Sequence, residues 1–325
     1  QDSTRHYYLY CNSQDAAPAN GHLTWIPEES SKYSIREHFS LAKKAAKQKI
    51  DLFHSPHYTL PLRLKCKSIV TVHDLIHIKF PQYFPGWKVK AAEFVMGKAI
   101  DKADVVITVS KTTRNDLLNR FPQAKEKTEL LYNRLSEDWL QRLPDINLRD
   151  VGIEKDFLLY VGNFKAHKGI DTLVKAYGRL QSPPQLVLVG NPGAMDAKLL
   201  ETVFSNNHIR MLGFADTNFL RRLYFEAMIF VFPSLYEGFG YPPLEAMCCG
   251  APVLSSDAPA MKEILGQAAE FFRRGDADAL TEKLKELIHD ASARKELSDK
   301  GRVQASKFVS KESTEKLLEI YKRLI

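Results

Sequence analysis

Short apolar runs alternate with amphipathic stretches along most of the chain. The apolar runs predict strands at residues 6–11, 23–26, 51–57, 68–72, 105–109, 130–132, 156–162, 185–190, 209–213 and 229–232. Apolar spacings of three and four residues predict helices at 34–48, 91–102, 168–180, 195–204 and 217–227, with Ser110 capping one more. Because the strand candidates are continuously apolar, we expect parallel sheets covered by helices, which is the α/β class.

A polar, proline-containing stretch at residues 143–155 interrupts this alternation once. A chain of 325 residues is long enough to form two domains with substantial cores. We therefore predict two Rossmann-like domains, residues 1–150 and residues 151–309, followed by a last helix at 310–325.

The most informative stretch is VFPSLYEGFGYPPLEAMCCGAPV, residues 231–253. A strand leads into a turn with Gly238 and Gly240, which carry no Cβ and let a ligand approach the backbone. The helix that follows offers N–H groups and a dipole suited to phosphate. Glu237 and Glu245 can accept hydrogen bonds from sugar hydroxyls. A ligand with both phosphate and hydroxyl groups, such as a nucleotide sugar, fits better than the alternative of two solvated glutamates on an ordinary strand–turn–helix.

The same residues, read as E-G-F-G-x-P-x-L-E-A-M-x-x-G-x-P-V, resemble the E-x7-E signature of retaining glycosyltransferases of family four, which includes bacterial mannosyltransferases. The resemblance implies a GT-B fold, in which two Rossmann-like domains with parallel sheets face each other across a cleft. It also implies that residues 151–309 bind the nucleotide sugar and that the helix at 310–325 crosses back to the N-terminal domain.

The resemblance assigns roles to individual residues. Glu237 would hold the transferred sugar, Glu245 the ribose, and His73 would lie beside the reacting carbon. The donor phosphates would contact Lys168, Gly238, Phe239, Gly240 and the loop at Gly162. Asn163 stands where many members have arginine, so Lys165 or His167 would supply the second cation. Gly190, Gly213 and Phe214 would lie near the nucleotide base.

Several other positions carry less weight. His54 and His57 follow a strand end and are candidates for the acceptor side. Ser110 and Arg114 match a further family stretch, Asn133 matches a family asparagine, and Glu263 matches a recurring glutamate with an expected structural role. We expect no metal and no cofactor, because the sequence shows no D-x-D arrangement of the kind that metal-dependent glycosyltransferases use and no His/Cys cluster.

The charge is unevenly distributed. Residues 1–150 carry 23 lysines and arginines against 17 acidic residues, so most of the net charge of +7 lies in the first half. The lysines at 43, 44, 47 and 49 suit an anionic membrane or a lipid phosphate, although a merely solvated helix face is the simpler explanation. No aromatic-interleaved basic platform for nucleic acid is present. Four cysteines without C-x-x-C spacing and no apolar run near ~20 residues indicate a cytoplasmic protein.

One feature of the family is missing. Its members open with a strand, a glycine-rich loop and a helix, whereas this sequence goes straight into HYYLYC. We therefore expect a separate or omitted segment to supply that strand and loop.

These observations predict a retaining, metal-independent transferase. It would move a hexose from a nucleotide diphosphosugar, first GDP-mannose and next a UDP- or dTDP-sugar, to a saccharide or lipid-linked acceptor in polysaccharide assembly. A sugar-nucleotide epimerase with the same fold and a non-catalytic nucleotide-binding subunit remain alternatives. A nicotinamide dehydrogenase is disfavoured, because no G-x-G-x-x-G follows a strand.

Overall fold

The computed structural model describes residues 5–11, 21–30 and 34–325. Its strands are β1 (Tyr7–Cys11), β2 (Leu23–Pro27), β3 (Leu52–Ser55), β4 (Lys67–Val72), β5 (Val105–Thr108), β6 (Thr128–Leu130), β7 (Leu158–Val161), β8 (Leu186–Val189), β9 (Ile209–Leu212), β10 (Ile229–Phe232), β11 (Val253–Ser256) and β12 (Glu270–Phe272). Its helices are α1 (Ile35–Lys47), α2 (Ile76–Lys79), α3 (Gly86–Lys102), α4 (Lys111–Arg120), α5 (Ile170–Tyr177), α6 (Ala197–Phe204), α7 (Thr217–Glu226), α8 (Tyr241–Cys249), α9 (Pro259–Leu265), α10 (Ala277–His289), α11 (Ala291–Val309) and α12 (Glu312–Leu324). None of these helices combines the length and the apolar character that a bilayer crossing requires.

The C-terminal half contains a six-stranded parallel sheet in the order β12-β11-β10-β7-β8-β9. The chain starts at the central strand β7, runs outward to β9, and then returns to the other side of β7 as β10. Open α/β sheets bind ligands at such a reversal of strand order, outside the carboxyl ends of the strands. The sheet therefore has its expected ligand crevice between β7 and β10.

Both faces of this sheet are buried. Leu159 and Phe230 point to one face, against α7 and α8. Leu158 and Ile229 point to the other, against α5 and α10. Burial on both sides explains why these strands are continuously apolar, as predicted from the sequence.

The N-terminal half contains a four-stranded parallel sheet, β3-β4-β5-β6. Val70 and Val106 face a core that includes Met96 and Ile100 of α3. The opposite face is covered by α12, the last helix of the chain, whose Ile320 packs against Ile69, Val105 and Ile107.

The crossing of the chain back to the N-terminal sheet is fixed by polar contacts as well. The Arg134 Nε donates to the carbonyls of Val309 (3.0 Å) and Ser310 (3.2 Å), where α11 ends. On α12, the Tyr321 hydroxyl lies 2.6 Å from His54 Nδ1. Arg134 thus anchors the segment that crosses back to the N-terminal sheet.

The strands β1 and β2 form a separate parallel pair. A cavity of about 600 Å³ lies between β1 and the free edge of β3, lined by residues 8–11 and 53–57 among others. Side chains bridge the two sheets here: the Tyr10 and Phe53 rings stack with their centroids 6.0 Å apart. The N-terminal sheet is therefore open at the position between β1 and β3.

Some predicted boundaries were wrong. The helix predicted at 91–102 begins five residues earlier, after Pro85, because exposed aromatic residues obscure the amphipathic pattern of its first turns. The helix predicted at 168–180 is split into a short 3-10 turn, Ala166–Lys168, and α5, because Gly169 adopts φ +68°. The strand predicted at 130–132 runs from Thr128 to Leu130.

Replacing Ile320 by alanine should test the packing of α12. Ile320 is 2 % exposed, so removing its side chain leaves a cavity against β4 and β5 and should lower the free energy of unfolding by about 2–5 kcal/mol. Urea unfolding measures the change, with the exposed Lys322→Ala on the same helix as the control. Equal stabilities of the two variants would contradict the packing of α12 on the N-terminal sheet.

Candidate active site

The carboxyl ends of the two large sheets meet across a cleft. The Thr113 hydroxyl, near the start of α4, lies 3.2 Å from the carbonyl oxygen of His73 and 3.3 Å from that of Gly238. The N–H of Leu75 donates to the hydroxyl of Tyr236 at 3.2 Å. The loop that follows β10 is therefore in direct contact with the ends of β4 and β5.

Two glycines of that loop are required by its geometry. A Cβ built on Gly238 would overlap the carbonyl oxygen of His73, so the two main chains approach as closely as they can. Gly240 has φ +90° and caps α8, and a Cβ there would overlap the Met261 side chain. The group that approaches Gly238 in this structure is thus the backbone of the opposite domain.

Lys168 and Glu237 form an ion pair at the reversal of strand order. Lys168 lies in the loop after β7 and Glu237 in the loop after β10, and Nζ and Oε1 are 2.6 Å apart. The two side chains are 17 % and 12 % exposed, so water screens the pair only partly. Two residues singled out separately in the sequence are brought together in the crevice where the fold places its ligands.

Glu245 points to a different partner. The Tyr224 hydroxyl, fully buried on α7, donates to Glu245 Oε2 at 3.2 Å. Burial raises the pKa of the Glu245 carboxyl to about 7, and the hydrogen bond from Tyr224 lowers the pKa only in part. The carboxyl is therefore expected to titrate near neutral pH.

His73 is exposed in the cleft directly after β4. Its Nε2 is 2.9 Å from the carbonyl oxygen of Pro56. A carbonyl only accepts hydrogen bonds, so Nε2 carries the proton and Nδ1 of the neutral ring is left as the basic nitrogen.

The first turn of α8 offers fewer main-chain N–H groups to a phosphate than expected from the sequence. The expected row of free N–H groups is wrong in part, because Pro242 and Pro243 occupy the second and third helical positions and proline has no N–H. The Phe239 ring is buried against Phe308, with centroids 5.6 Å apart. Any phosphate contact here must use main-chain N–H groups before Pro242.

The loop after β7 is tightly organised around Gly162 and Asn163. The Tyr160 hydroxyl donates to the Asn163 carbonyl at 2.7 Å, and the Asn163 side chain accepts from the Lys165 N–H at 3.3 Å. His167 is buried, and burial beside Lys168 and Lys165 lowers its pKa to about 4. The suggestion that His167 supplies a second cation is therefore wrong, since its ring is neutral at pH 7, whereas the Lys165 side chain is exposed.

Gly213 and Phe214 lie at the end of β9, on the edge of the C-terminal sheet. Phe214 is 97 % exposed, so its ring is open to any ligand that extends along the sheet edge. These two residues do not contact the Lys168–Glu237 pair.

His54 was a candidate for the acceptor side. Both of its ring nitrogens are occupied, Nδ1 by Tyr321 and Nε2 by the Thr71 hydroxyl at 2.9 Å. Burial, with a smaller contribution from His73, lowers its pKa to about 4. His54 therefore ties β3, β4 and α12 together, and the His57 ring packs at a tilt against Tyr58, with centroids 4.0 Å apart. Ser110 caps α4, as predicted, by accepting from the Thr113 N–H.

Glu263 has a structural role, as expected, and the structure shows that this role is to join the two domains. Its carboxylate accepts from the N–H groups of Lys111 (2.6 Å) and Thr112 (2.9 Å), which are the first two residues of α4 in the opposite domain. It also accepts from the hydroxyl of Tyr132 at 2.9 Å. A glutamate inside the short helix α9 gives no sign in sequence that it caps a helix of another domain.

Two protein-family models together match most of this chain. A model described as "Glycosyltransferase Family 4" matches residues 6–137, and one described as "Glycosyl transferases group 1" matches residues 147–304. The O-antigen chain mannosyltransferase B of Escherichia coli is 30% identical over 285 residues, which is 84% of this chain and 74% of that protein. The chain belongs to glycosyltransferase family 4.

A second relative of this family 4 glycosyltransferase is a Campylobacter jejuni enzyme named N-acetylgalactosamine-N,N'-diacetylbacillosaminyl-diphospho-undecaprenol 4-alpha-N-acetylgalactosaminyltransferase. It is 27% identical over 66% of this chain and 59% of its own length.

Solved structures agree on the fold. Sucrose-phosphate synthase from Thermosynechococcus elongatus superposes with a TM-score of 0.82 at 22% identity, over 98% of this chain and 89% of that one. Anabaena HepE in complex with UDP and glucose gives 0.76 at 18% identity, over 93% and 86%. The predicted GT-B architecture, with two Rossmann-like domains, is confirmed.

Substituting Gly238 by alanine should force the cleft open. The added methyl group meets a backbone carbonyl that cannot rotate away, so the two domains must separate. Small-angle scattering should show a larger radius of gyration, and the contacts of Tyr236 should be lost. Gly213→Ala is the matched control, because a Cβ there has nothing within 4 Å. Unchanged scattering for Gly238→Ala would show that the close approach is not maintained in solution.

Proposed function

We propose that this glycosyltransferase moves a hexose, with retention of configuration, from a nucleotide diphosphosugar to a saccharide or lipid-linked acceptor. The observation that carries the proposal is the Lys168–Glu237 pair at the crevice of the C-terminal sheet, facing His73 on the opposite domain. A cation, a carboxylate and a basic ring nitrogen are the groups that the transfer requires.

The donor would extend along the carboxyl edge of the C-terminal sheet. Adjacent strands are about 4.8 Å apart, so the ends of β10 and β9, three strands apart, are separated by about 14 Å. An extended nucleotide diphosphosugar can cover such a span. Its hexose would lie at Glu237, its diphosphate at Lys168, Gly162 and the main chain of Gly238, Phe239 and Gly240, and its base near Gly190, Gly213 and Phe214.

The chemistry needs charge stabilisation more than a strong nucleophile. As the bond between the anomeric carbon and the diphosphate oxygen breaks, negative charge grows on the diphosphate, and the fixed Lys168 ammonium stabilises it. The acceptor oxygen bonds to the same face of the anomeric carbon, and its proton passes to the leaving phosphate oxygen. Nδ1 of His73 would accept a hydrogen bond from a hydroxyl of the sugar or acceptor. No metal or cofactor takes part in this scheme.

The relatives guide the choice of substrates. The E. coli relative is named a mannosyltransferase, so GDP-mannose is the first donor to test. The Anabaena structure holds UDP and glucose, which makes UDP-glucose the next, with dTDP-sugars after it. The name of the Campylobacter relative contains a saccharide joined to diphospho-undecaprenol, which makes a lipid-linked saccharide the first acceptor to test.

Two partners stay predictions. A segment that supplies a strand and a glycine-rich loop would add at the open position between β1 and β3. The basic N-terminal half would contact an anionic membrane at the cytoplasmic face. Among the lysines of α1, Lys44 is engaged by the buried Glu28 at 2.9 Å, which favours a structural role for it.

A nucleotide panel tests the proposal. GDP, UDP, dTDP and ADP with their sugars should separate into one class that stabilises the protein and others that do not. Saturation at 100 times the dissociation constant contributes about 2.7 kcal/mol, a shift of a few degrees in Tm. Lys168→Ala should lose most of this shift and about 10²–10³ in kcat. Lys175→Ala, an exposed lysine on α5, is the control.

The outcomes of the panel distinguish the alternatives. Transfer of the hexose to water or to an added acceptor supports the proposal. Conversion of the donor to another sugar nucleotide without an acceptor would identify an epimerase. Binding without any turnover would identify a non-catalytic subunit, and binding that is insensitive to Lys168→Ala would refute the proposed site.

Donor binding should release protons near neutral pH. The pKa of Glu245 is raised to about 7, and ribose hydroxyls that donate to the carboxylate favour its ionised form. Binding should therefore lower this pKa and release a fraction of a proton near pH 7, and this release should fall towards zero at pH well above 7. Calorimetry in buffers of different ionisation enthalpy measures the release. Glu245→Gln should abolish it; the same proton release in that variant would exclude Glu245 from the ribose site.

A further inference from the structure

Helix α3 carries large aromatic rings on its solvent face. Trp87 is 69 % exposed and Phe94 is 65 % exposed, and Tyr83, just before the helix, is 38 % exposed. Residues 87, 94 and 98 recur at seven and four residues, so they lie on one side of the helix. We call Tyr83, Trp87 and Phe94, with the lysines beside them, the α3 surface.

The opposite side of α3 packs into the core of the N-terminal domain. Met96, Ala99 and Ile100 are buried against the N-terminal sheet. The rings of the α3 surface therefore add nothing to the core. Exposed aromatic side chains grouped within twelve residues indicate an interaction surface more often than chance placement does.

The charges around these rings are positive. Lys88 Nζ lies 5.5 Å from the centre of the Trp87 ring, and Lys98 Nζ lies 5.7 Å from that of Phe94. Lys90 is exposed between them. Glu93 is neutralised by an ion pair with Arg120 of α4, and Asp101 lies at the far end of the helix. Exposed rings flanked by lysines on one helix face match the interfacial region of an anionic bilayer, where rings insert at headgroup level and lysines contact phosphates.

The α3 surface is connected to the cleft through stacked rings. Tyr83 stacks on Phe80 with centroids 5.9 Å apart, and Phe80 lies 5.5 Å from Tyr236, the residue before Glu237. Two ring contacts, Tyr83–Phe80 and Phe80–Tyr236, therefore link the α3 surface to the loop that borders the cleft.

We propose that the α3 surface docks the protein on an anionic lipid membrane. Trp87 and Phe94 insert between headgroups, while Lys88, Lys90 and Lys98 contact lipid phosphates. Docking in this orientation brings the cleft to the bilayer surface, where a lipid-linked acceptor would lie; this last point rests on the proposed function, whereas docking itself does not.

Vesicle flotation tests the docking with the protein as it is. Vesicles of phosphatidylcholine with about 30 % phosphatidylglycerol should bind it about a hundredfold more tightly than phosphatidylcholine alone, because three lysines gain contact with anionic headgroups. Trp87→Ala/Phe94→Ala should weaken binding about tenfold or more. Lys88→Glu/Lys90→Glu/Lys98→Glu should remove the preference for phosphatidylglycerol. Phe204→Ala is the matched control, since Phe204 is also 65 % exposed but lies on α6 of the other domain.

Two more measurements distinguish membrane docking from donor binding and from dimerisation. Nucleotide-induced thermal shifts should stay unchanged in the Trp87/Phe94 variant, so that loss of docking and loss of the donor site give different results. Equal vesicle binding by the wild type and this variant would overturn the proposal. So would a dimer in light scattering that dissociates only in the variant, because a second copy of the chain would then cover the α3 surface.

Discussion

The cleft depends on a main-chain contact that only glycine at position 238 permits. The carbonyl of His73 occupies the space that a Cβ of residue 238 would need. This contact fixes the loop after β10 against the end of β4, and with it the positions of Tyr236 and Glu237, which directly precede Gly238. A larger residue would separate the groups from the two domains that the site combines.

The other contacts across the cleft are mostly polar. The Tyr236 hydroxyl lies 3.0 Å from Asp116, which also pairs with Lys79 at 2.7 Å, and burial beside Asp116 raises the pKa of Tyr236. Glu263 caps α4. Water can replace such partners when the domains part, so opening costs little compared with exposing an apolar core. The apolar seat of α12 is different, because parting it exposes Ile320 and its neighbours. The packing of α12 on the N-terminal sheet should therefore persist when the cleft opens, whereas the polar contacts across the cleft can break.

The sequence predicted the fold well because its signals were strong and local. Continuously apolar strands such as Ile229–Phe232 specify burial on both faces, and the order of strands and helices specifies parallel sheets. The sequence could not show which partners the side chains of the site would choose. Lys168 and Glu237 are 69 positions apart, and Glu263 meets Lys111 across 152. Lys168 and Glu237 meet because β7 and β10 are neighbours in the sheet. The contact of Glu263 depends instead on the angle at which the two sheets meet, and no periodicity in either half encodes that angle. His167 shows the same limit: its sequence neighbours suggest a cation, whereas its burial makes it neutral.

The Lys168–Glu237 pair also explains how the Lys168 ammonium can be held in a partly buried site before a donor binds. An unpaired ammonium that is 17 % exposed would lose much of its hydration, and Glu237 compensates that loss. Under the proposed function, an arriving diphosphate carries more negative charge than one carboxylate and competes for the same ammonium. The carboxylate of Glu237 would then be released from Lys168 to accept hydrogen bonds from the hexose. One ion pair would thus keep both side chains in position before the donor arrives and let each take its own partner afterwards.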